Sequence, residues 1–229
     1  MAGETIKAEA VCLTIRPFSR TSHVVNWLTD AGCVATLVKG AVRPKSAFLG
    51  QYDLNYTCEI VYYARAHGEL HALREASPLK RRDALRGDYR ALALAEHFRY
   101  LAGLLAPTGA EAAEWLRLVG GSLDALAARA GRTRLESGAA LAQLLAYELA
   151  VLELVGLKPE LSEGALALRG ERSIPVAPAT FACLRDPYAE KNLKILLDAA
   201  RVIGVFYSFH LDTALAQRRA VLGLISNHA

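Results

Sequence analysis

The sequence predicts an α+β chain, an all-β N-terminal part followed by an all-α C-terminal part. Three observations carry that expectation. Up to about Pro78 the chain is rich in Val, Thr and Tyr and is broken by turn signals, whereas from Arg81 to Gly156 Ala and Leu dominate. Apolar residues alternate in the first stretch and recur at helical spacing in the second. At 229 residues the chain is also long enough for two cores, and the expected domains are 1–79 and 80–229.

Residues 6–15 alternate as a strand. Residues 24–28 and 34–38 flank Asp30-Ala31-Gly32, a hairpin turn signal, and 56–63 and 70–73 flank a second, Ala66-His67-Gly68. Five short strands with tight turns and an aromatic-bearing interior suit a small closed barrel of the OB type. Closure removes the edges that five loose strands would expose. Trp27, Tyr52, Tyr56, Tyr62 and Tyr63 are expected in its core.

Asp88 is placed to cap a helix carrying Leu92, Phe98, Leu101 and Leu105, which ends near Pro107. Thr108 and Glu111 form a T-x-x-E capping box for a second helix with Trp115, Leu116, Val119, Leu123 and Leu126. A third helix, about 135–155, is apolar on more than one side and stops at Gly156, so it is expected at the centre of its bundle. Periodicity fades over 157–178, leaving an insertion with a small hairpin, 165–168 and 173–176, around Gly170. Helical spacing returns from 190 to about 222 and reads as a helix packing back on the bundle.

Composition narrows the function classes. A formal net charge of +4 and a pI near 8.9 are mildly basic and point only weakly to a polyanionic partner. Mean hydropathy is +0.19, yet no run approaches the roughly 18 uninterrupted apolar residues of a membrane span. No secretory signal core is evident, so a soluble, cytoplasmic protein is expected. Cys12, Cys33, Cys58 and Cys183 form no C-x-x-C pair and have no His at ligand spacing, which predicts buried thiols in a reducing compartment and neither zinc nor disulfides. The G-x-S-x-G, Walker, H-E-x-x-H and G-x-G-x-x-G motifs are all missing. Ser22 and His23 are strand neighbours that point to opposite faces. The expectation is a binding protein without catalytic residues, cofactor or metal.

The functional signal lies between Asp30 and Asp53, a stretch with no acidic residue. Its middle reads Val38-Lys39-Gly40-Ala41-Val42-Arg43-Pro44-Lys45-Ser46, which sets Lys39, Arg43 and Lys45 on a Gly- and Pro-punctuated turn after a strand. Such a turn offers charge to a nucleic-acid backbone. Arg16 and Arg20 flank a second turn, Arg16-Pro17-Phe18-Ser19-Arg20, and in a five-stranded barrel the ends of the first and third strands lie on adjoining surface, so the five cations are expected in one groove. Phe18 and Phe48 are candidates to stack on bases, each stack being worth about 1–3 kcal/mol; alternatively they plug the barrel ends. Lys80-Arg81-Arg82 with Arg86 and Arg90 form a second cluster, interleaved with Asp83 and Asp88, which intrahelical pairing or a continued DNA track would explain. Arg218-Arg219 is a smaller third.

Glu9-Ala10-Val11-Cys12-Leu13, Arg16-Pro17-Phe18-Ser19 with Thr21-Ser22, and Val38-Lys39-Gly40-Ala41 with Arg43 resemble the N-terminal signature of the RecO family of bacterial recombination mediators. Leu73-Arg74-Glu75-Ala76 is similar to the end of that family's barrel, Tyr147-Glu148-Leu149 with Leu154-Val155-Gly156-Leu157-Lys158-Pro159 to its central helix and following turn, and 206–219 to its terminal helix. The resemblance implies an N-terminal OB-fold that binds DNA and a helical C-terminal domain. It implies binding of single- and double-stranded DNA, annealing of complementary strands, and action with RecR to load RecA onto DNA coated by single-stranded DNA-binding protein (SSB), whose C-terminal tail docks on the helical domain. Many relatives carry a four-cysteine zinc motif between the central and terminal helices; 157–178 contains no cysteine here, so a metal-free insertion is expected. Leu145-Ala146 stands where some relatives have arginine, so the tail contact does not carry over residue by residue. The rival reading is a protein-interaction adaptor whose basic barrel loop meets an acidic partner protein.

Overall fold

In the computed structural model, which describes residues 4–65, 68–162, 164–168, 172–211 and 215–226, the alternating runs become β1 (Thr5–Ser19), β2 (Ser22–Thr29), β3 (Gly32–Val38), β4 (Thr57–Tyr63) and β5 (Leu70–Lys80). They close into a barrel in the order β1-β2-β3-β5-β4. β1 closes it by pairing twice, with β4 from Thr5↔Tyr63 to Val11↔Thr57 and with β2 from Ala10↔Thr29 to Ser19↔Ser22. The strand runs past its expected end at Ile15 and through Pro17. Beyond Val11 it has lost β4 as a neighbour, so a residue without an N–H is tolerated there. The expected turn residues Ala66 and His67 lie outside the described residues.

Alternation sends Val25, Trp27, Cys58, Ile60, Tyr62 and Leu73 inward, where Tyr52 and Tyr56 from the β3–β4 loop join them. The Trp27 indole N–H is satisfied inside the barrel by Thr36 Oγ1 at 2.8 Å. Tyr63 corrects the expected core: next to inward Tyr62 it must face out, and it lies 37% exposed beneath the Arg74 guanidinium, 4.8 Å from the ring centroid. Cys33 is likewise exposed, whereas Cys12, Cys58 and Cys183 are buried.

The chain divides into two compact units, one made of Met1–Asp83 and Phe98–Ala127, the other of Ala84–His97 and Ala128–Ala229. Helices α1 (Tyr89–Leu105) and α2 (Ala112–Ala130) contribute residues to both. In the first unit Arg99 of α1 donates to the Leu13 carbonyl and to Asn55 Oδ1 (2.7 Å). Arg82 reaches Asn55 O (2.6 Å), Thr57 Oγ1 (3.0 Å) and Asp124 Oδ1 of α2 (2.7 Å), while Lys80 takes Asp124 Oδ2 (2.7 Å). Burial alone would raise the Asp124 carboxyl, but the bonds from Lys80 and Arg82 outweigh it and hold the group below the ordinary range. Lys80 and Arg82 therefore pair across the fold, not within a helix as their spacing suggests, while Arg81 pairs locally with Asp83 (3.5 Å).

Asp88 caps α1 as expected, its Oδ1 accepting from the N–H groups of Arg90 (2.9 Å) and Ala91 (3.1 Å). α2 begins at Ala112, later than the capping box predicts. Gly109, at φ +96°, donates its N–H to Ala31 O (2.9 Å), so the chain is held in a turn before the helix starts.

The second unit is built around α3 (Ser137–Leu154), with α4 (Pro178–Arg185), α5 (Leu193–His210) and α6 (Leu215–Ser226). α3 is long and apolar enough to cross a membrane by length and composition, but 56% of it is buried inside the protein. The insertion contains a sheet of β6 (Leu161–Ser162), β7 (Ala165–Ala167) and β8 (Ser173–Pro175), the last two matching the expected hairpin, whose centre at Gly170 lies outside the described residues. The single terminal helix expected from 190 is two helices, and α4, opened by Pro178 at its first position, precedes them.

Glu148 of α3 is fully buried and bonded by Arg218 of α6 through Nε (2.8 Å) and Nη2 (2.9 Å) and by His97 Nε2 (3.0 Å). Burial alone would push its carboxyl up; Arg218 and then His97 outweigh burial and hold it below the usual glutamate range. An ionised carboxylate only accepts, so His97 carries its proton on Nε2. Arg218 approaches over Gly204, where an added Cβ would meet Nη1 at 2.6 Å. The Arg218-Arg219 pair thus has one buried member, whose guanidinium is engaged inside the unit.

Candidate nucleic-acid interface

The β1–β2 turn and the loop after β3 are joined by backbone chemistry. Gly40 donates its N–H to Ser22 Oγ (3.2 Å), and Val42 donates to Thr21 O (3.3 Å). β2 lies between the two segments, so Pro17, His23 and Val38 form one cross-strand row, and Arg16, Val24 and Leu37 the next. The ends of β1 and β3 therefore share one surface, as the barrel topology predicted.

The loop is an ordered chain of turns. Arg43 N–H returns to Gly40 O (3.2 Å), Ser46 N–H to Arg43 O (2.9 Å), and Gln51 N–H to Phe48 O (3.1 Å). Ala41 and Tyr52 anchor it in the barrel core, with Tyr52 OH 2.9 Å from His23 Nδ1. Gly40 is needed at the first turn: its φ is +67°, and a Cβ there would lie 3.1 Å from Arg43 Cδ. The Arg43 side chain thus folds back across the glycine.

Phe18, Lys39 and Arg43 line one recess of about 390 Å³, with Ser22 and Leu37 in its floor. Phe18 is 60% exposed, as a stacking ring must be. Arg16 lines a neighbouring recess, while Arg20 and Lys45 are exposed on the two turns and line neither. Phe48 is half-buried against the barrel core beneath the loop. Among the described residues none of the five cations forms an ion pair, so their charge is offered to solvent. Among the described residues no group of three or more His, Cys, Asp or Glu is arranged to hold a metal.

Of the residues expected in one groove, Phe18, Lys39 and Arg43 line this recess; the exposed apolar side chains beside them were not foreseen. Val42 and Leu49 are 48% and 49% exposed on the same loop. The only signal for them was their place in a turn anchored by small and aromatic neighbours.

A closed five-stranded barrel that carries a cationic, aromatic-bearing loop is of the OB type. Residues 1–82 match the family described as Recombination protein O N terminal. The DNA repair protein RecO of Rhodopirellula baltica is 38% identical over 97 residues, a stretch covering 42% of this chain and 35% of that relative. Residues 1–82 are thus similar to the N-terminal domain of the RecO family.

Proposed function

We propose that this protein serves DNA repair and recombination by binding single- and double-stranded DNA and annealing complementary strands. Lys39, Arg43 and Lys45, with Arg16 and Arg20, neutralise phosphates, Phe18 stacks on a base, and Phe48 supports the loop from the barrel side. The observation that carries this reading is the shared recess of Phe18, Lys39 and Arg43, where unpaired cations flank an exposed ring. Neutralising the phosphates of two strands lowers their repulsion, so annealing needs no nucleotide hydrolysis, catalytic residue or cofactor.

Binding is assigned to the domain 1–79, and partner contacts to 80–229. By analogy with the family, those partners are RecR and the SSB C-terminal tail, with RecA loading as the outcome and the nucleoid as the place of action. A second reading, a protein-docking adaptor, is favoured by exposed Val42 and Leu49, which would suit an apolar partner surface. Fluorescence anisotropy of a labelled single-stranded oligonucleotide at several salt concentrations separates them. Micromolar or tighter binding with a steep salt slope supports the DNA reading, and no binding even at low salt overturns it in favour of the adaptor.

A further inference from the structure

The outer face of β1–β2–β3 continues beyond the loop. Two cross-strand rows along the sheet from Arg16, on the same outer face, Thr14, Asn26 and Ala35 line a second and larger recess, of about 580 Å³, in the same compact unit. Arg16 stands between the two recesses, and Phe18 to Thr14 spans roughly 13 Å of strand. The far wall is α1, which contributes Tyr100, 37% exposed, and Leu104, 42% exposed. The polar part of the lining is Asn26, bonded through Nδ2 to Thr14 Oγ1 (3.0 Å), His71, exposed Glu69 and Arg99, whose guanidinium is held by the Leu13 carbonyl and Asn55 Oδ1.

This lining sorts the parts of a nucleotide. Arg16 at the border suits a phosphate, whereas Arg99 is already held by Asn55 and the Leu13 carbonyl and the Glu69 carboxylate repels one. An aromatic and a leucine beside amide, imidazole and carboxylate groups suit the flat face and hydrogen-bonding edge of a base. We propose that this recess takes bases of a single DNA strand whose phosphates run over Arg16 from the 39–45 loop, with Tyr100 as a stacking surface. The assignment rests on the DNA-binding reading above and adds to it a site that tells single strands from duplex. Bases in a duplex are stacked and paired, and enter such a recess only after extrusion.

The test compares wild type, Tyr100→Ala and Tyr100→Phe on a labelled single-stranded oligonucleotide and on its duplex. Tyr100→Ala is expected to weaken single-strand binding about 5- to 100-fold, with an unchanged salt slope and duplex affinity within about twofold, while Tyr100→Phe keeps wild-type affinity. Cys33 lines the recess and is the exposed thiol among the four cysteines, so it gives a second readout: single-stranded DNA should slow its modification by a maleimide, and duplex should not. Unchanged single-strand affinity in Tyr100→Ala, equal losses on both DNAs, or Cys33 labelling indifferent to single strands would overturn the assignment. If Lys39→Glu with Arg43→Glu weakens binding and Tyr100→Ala does not, this recess alone is withdrawn. If wild type binds neither DNA, the underlying reading falls with it.

Discussion

Gly40 and Arg43 are coupled through a single contact. A methyl group at Gly40 meets a left-handed backbone at φ +67° and the Arg43 side chain at 3.1 Å. Gly40→Ala should therefore cost about 1 kcal/mol in denaturant unfolding and also weaken DNA binding, because Arg43 must leave its place over the glycine. Charge reversal at Lys39 and Arg43 tests the other half of the site. If each cation releases about one counterion, the double variant should flatten the log-log salt dependence of single-strand binding by roughly 1–2 units; an unchanged slope in a folded variant removes the loop from the interface. These residues were legible in sequence because a turn between strands presents its side chains to solvent whatever the rest of the fold does. For Phe48 the sequence left two readings open, a base stack or a barrel plug; its half-buried seat depends on the turn at Ser46, whose Oγ accepts the Phe48 N–H (3.2 Å), and apolar periodicity carries no record of that.

Elements were read well where one periodicity ran unbroken, as in the five strands and in α1 to α3. They were misread where a distant residue decides the outcome: Ala31 holds Gly109 and delays α2, and Asp124 captures Lys80 and Arg82 across more than 40 positions. The sequence displays a cation but not the acid it will meet. α3 shows the consequence for stability. Glu148 is ionised in the folded unit, its carboxyl depressed by Arg218 and His97 against the upward push of burial. A depressed folded value stabilises above the ordinary glutamate range, near 4.3, and that contribution is lost as pH falls through the folded value. Unfolding free energy should accordingly drop on acidification below about pH 4, and Glu148→Gln should flatten that drop. The same variant should lose about 3–5 kcal/mol at neutral pH, because it leaves the Arg218 guanidinium buried beside a neutral amide. Gly204→Ala should reproduce much of the loss without touching either charge, since its Cβ would meet Arg218 Nη1 at 2.6 Å and push the guanidinium off the Nε and Nη2 bonds to Glu148.

At the scale of the whole molecule the formal charge is only +4, too small to condense DNA indiscriminately, so any annealing must come from where the charge sits. Arg16, Arg20, Lys39, Arg43 and Lys45, which form no ion pair among the described residues, lie on two adjoining turns of the barrel, whereas Arg82, Arg90, Arg99 and Arg218 are engaged inside the fold. If the loop binds DNA as proposed, such an arrangement would screen two strands locally and so speed their pairing. Mixing complementary oligonucleotides, one labelled with a donor and one with an acceptor dye, should therefore show faster pairing with the protein than without it, and equal rates with and without ATP. Raising salt should remove the acceleration over the same range in which it removes binding, since both depend on counterion release. Lys39→Glu with Arg43→Glu should lose acceleration and single-strand affinity together. A variant that keeps full acceleration after losing that affinity would mean that annealing is driven from another surface, and the barrel loop would then be a docking element instead.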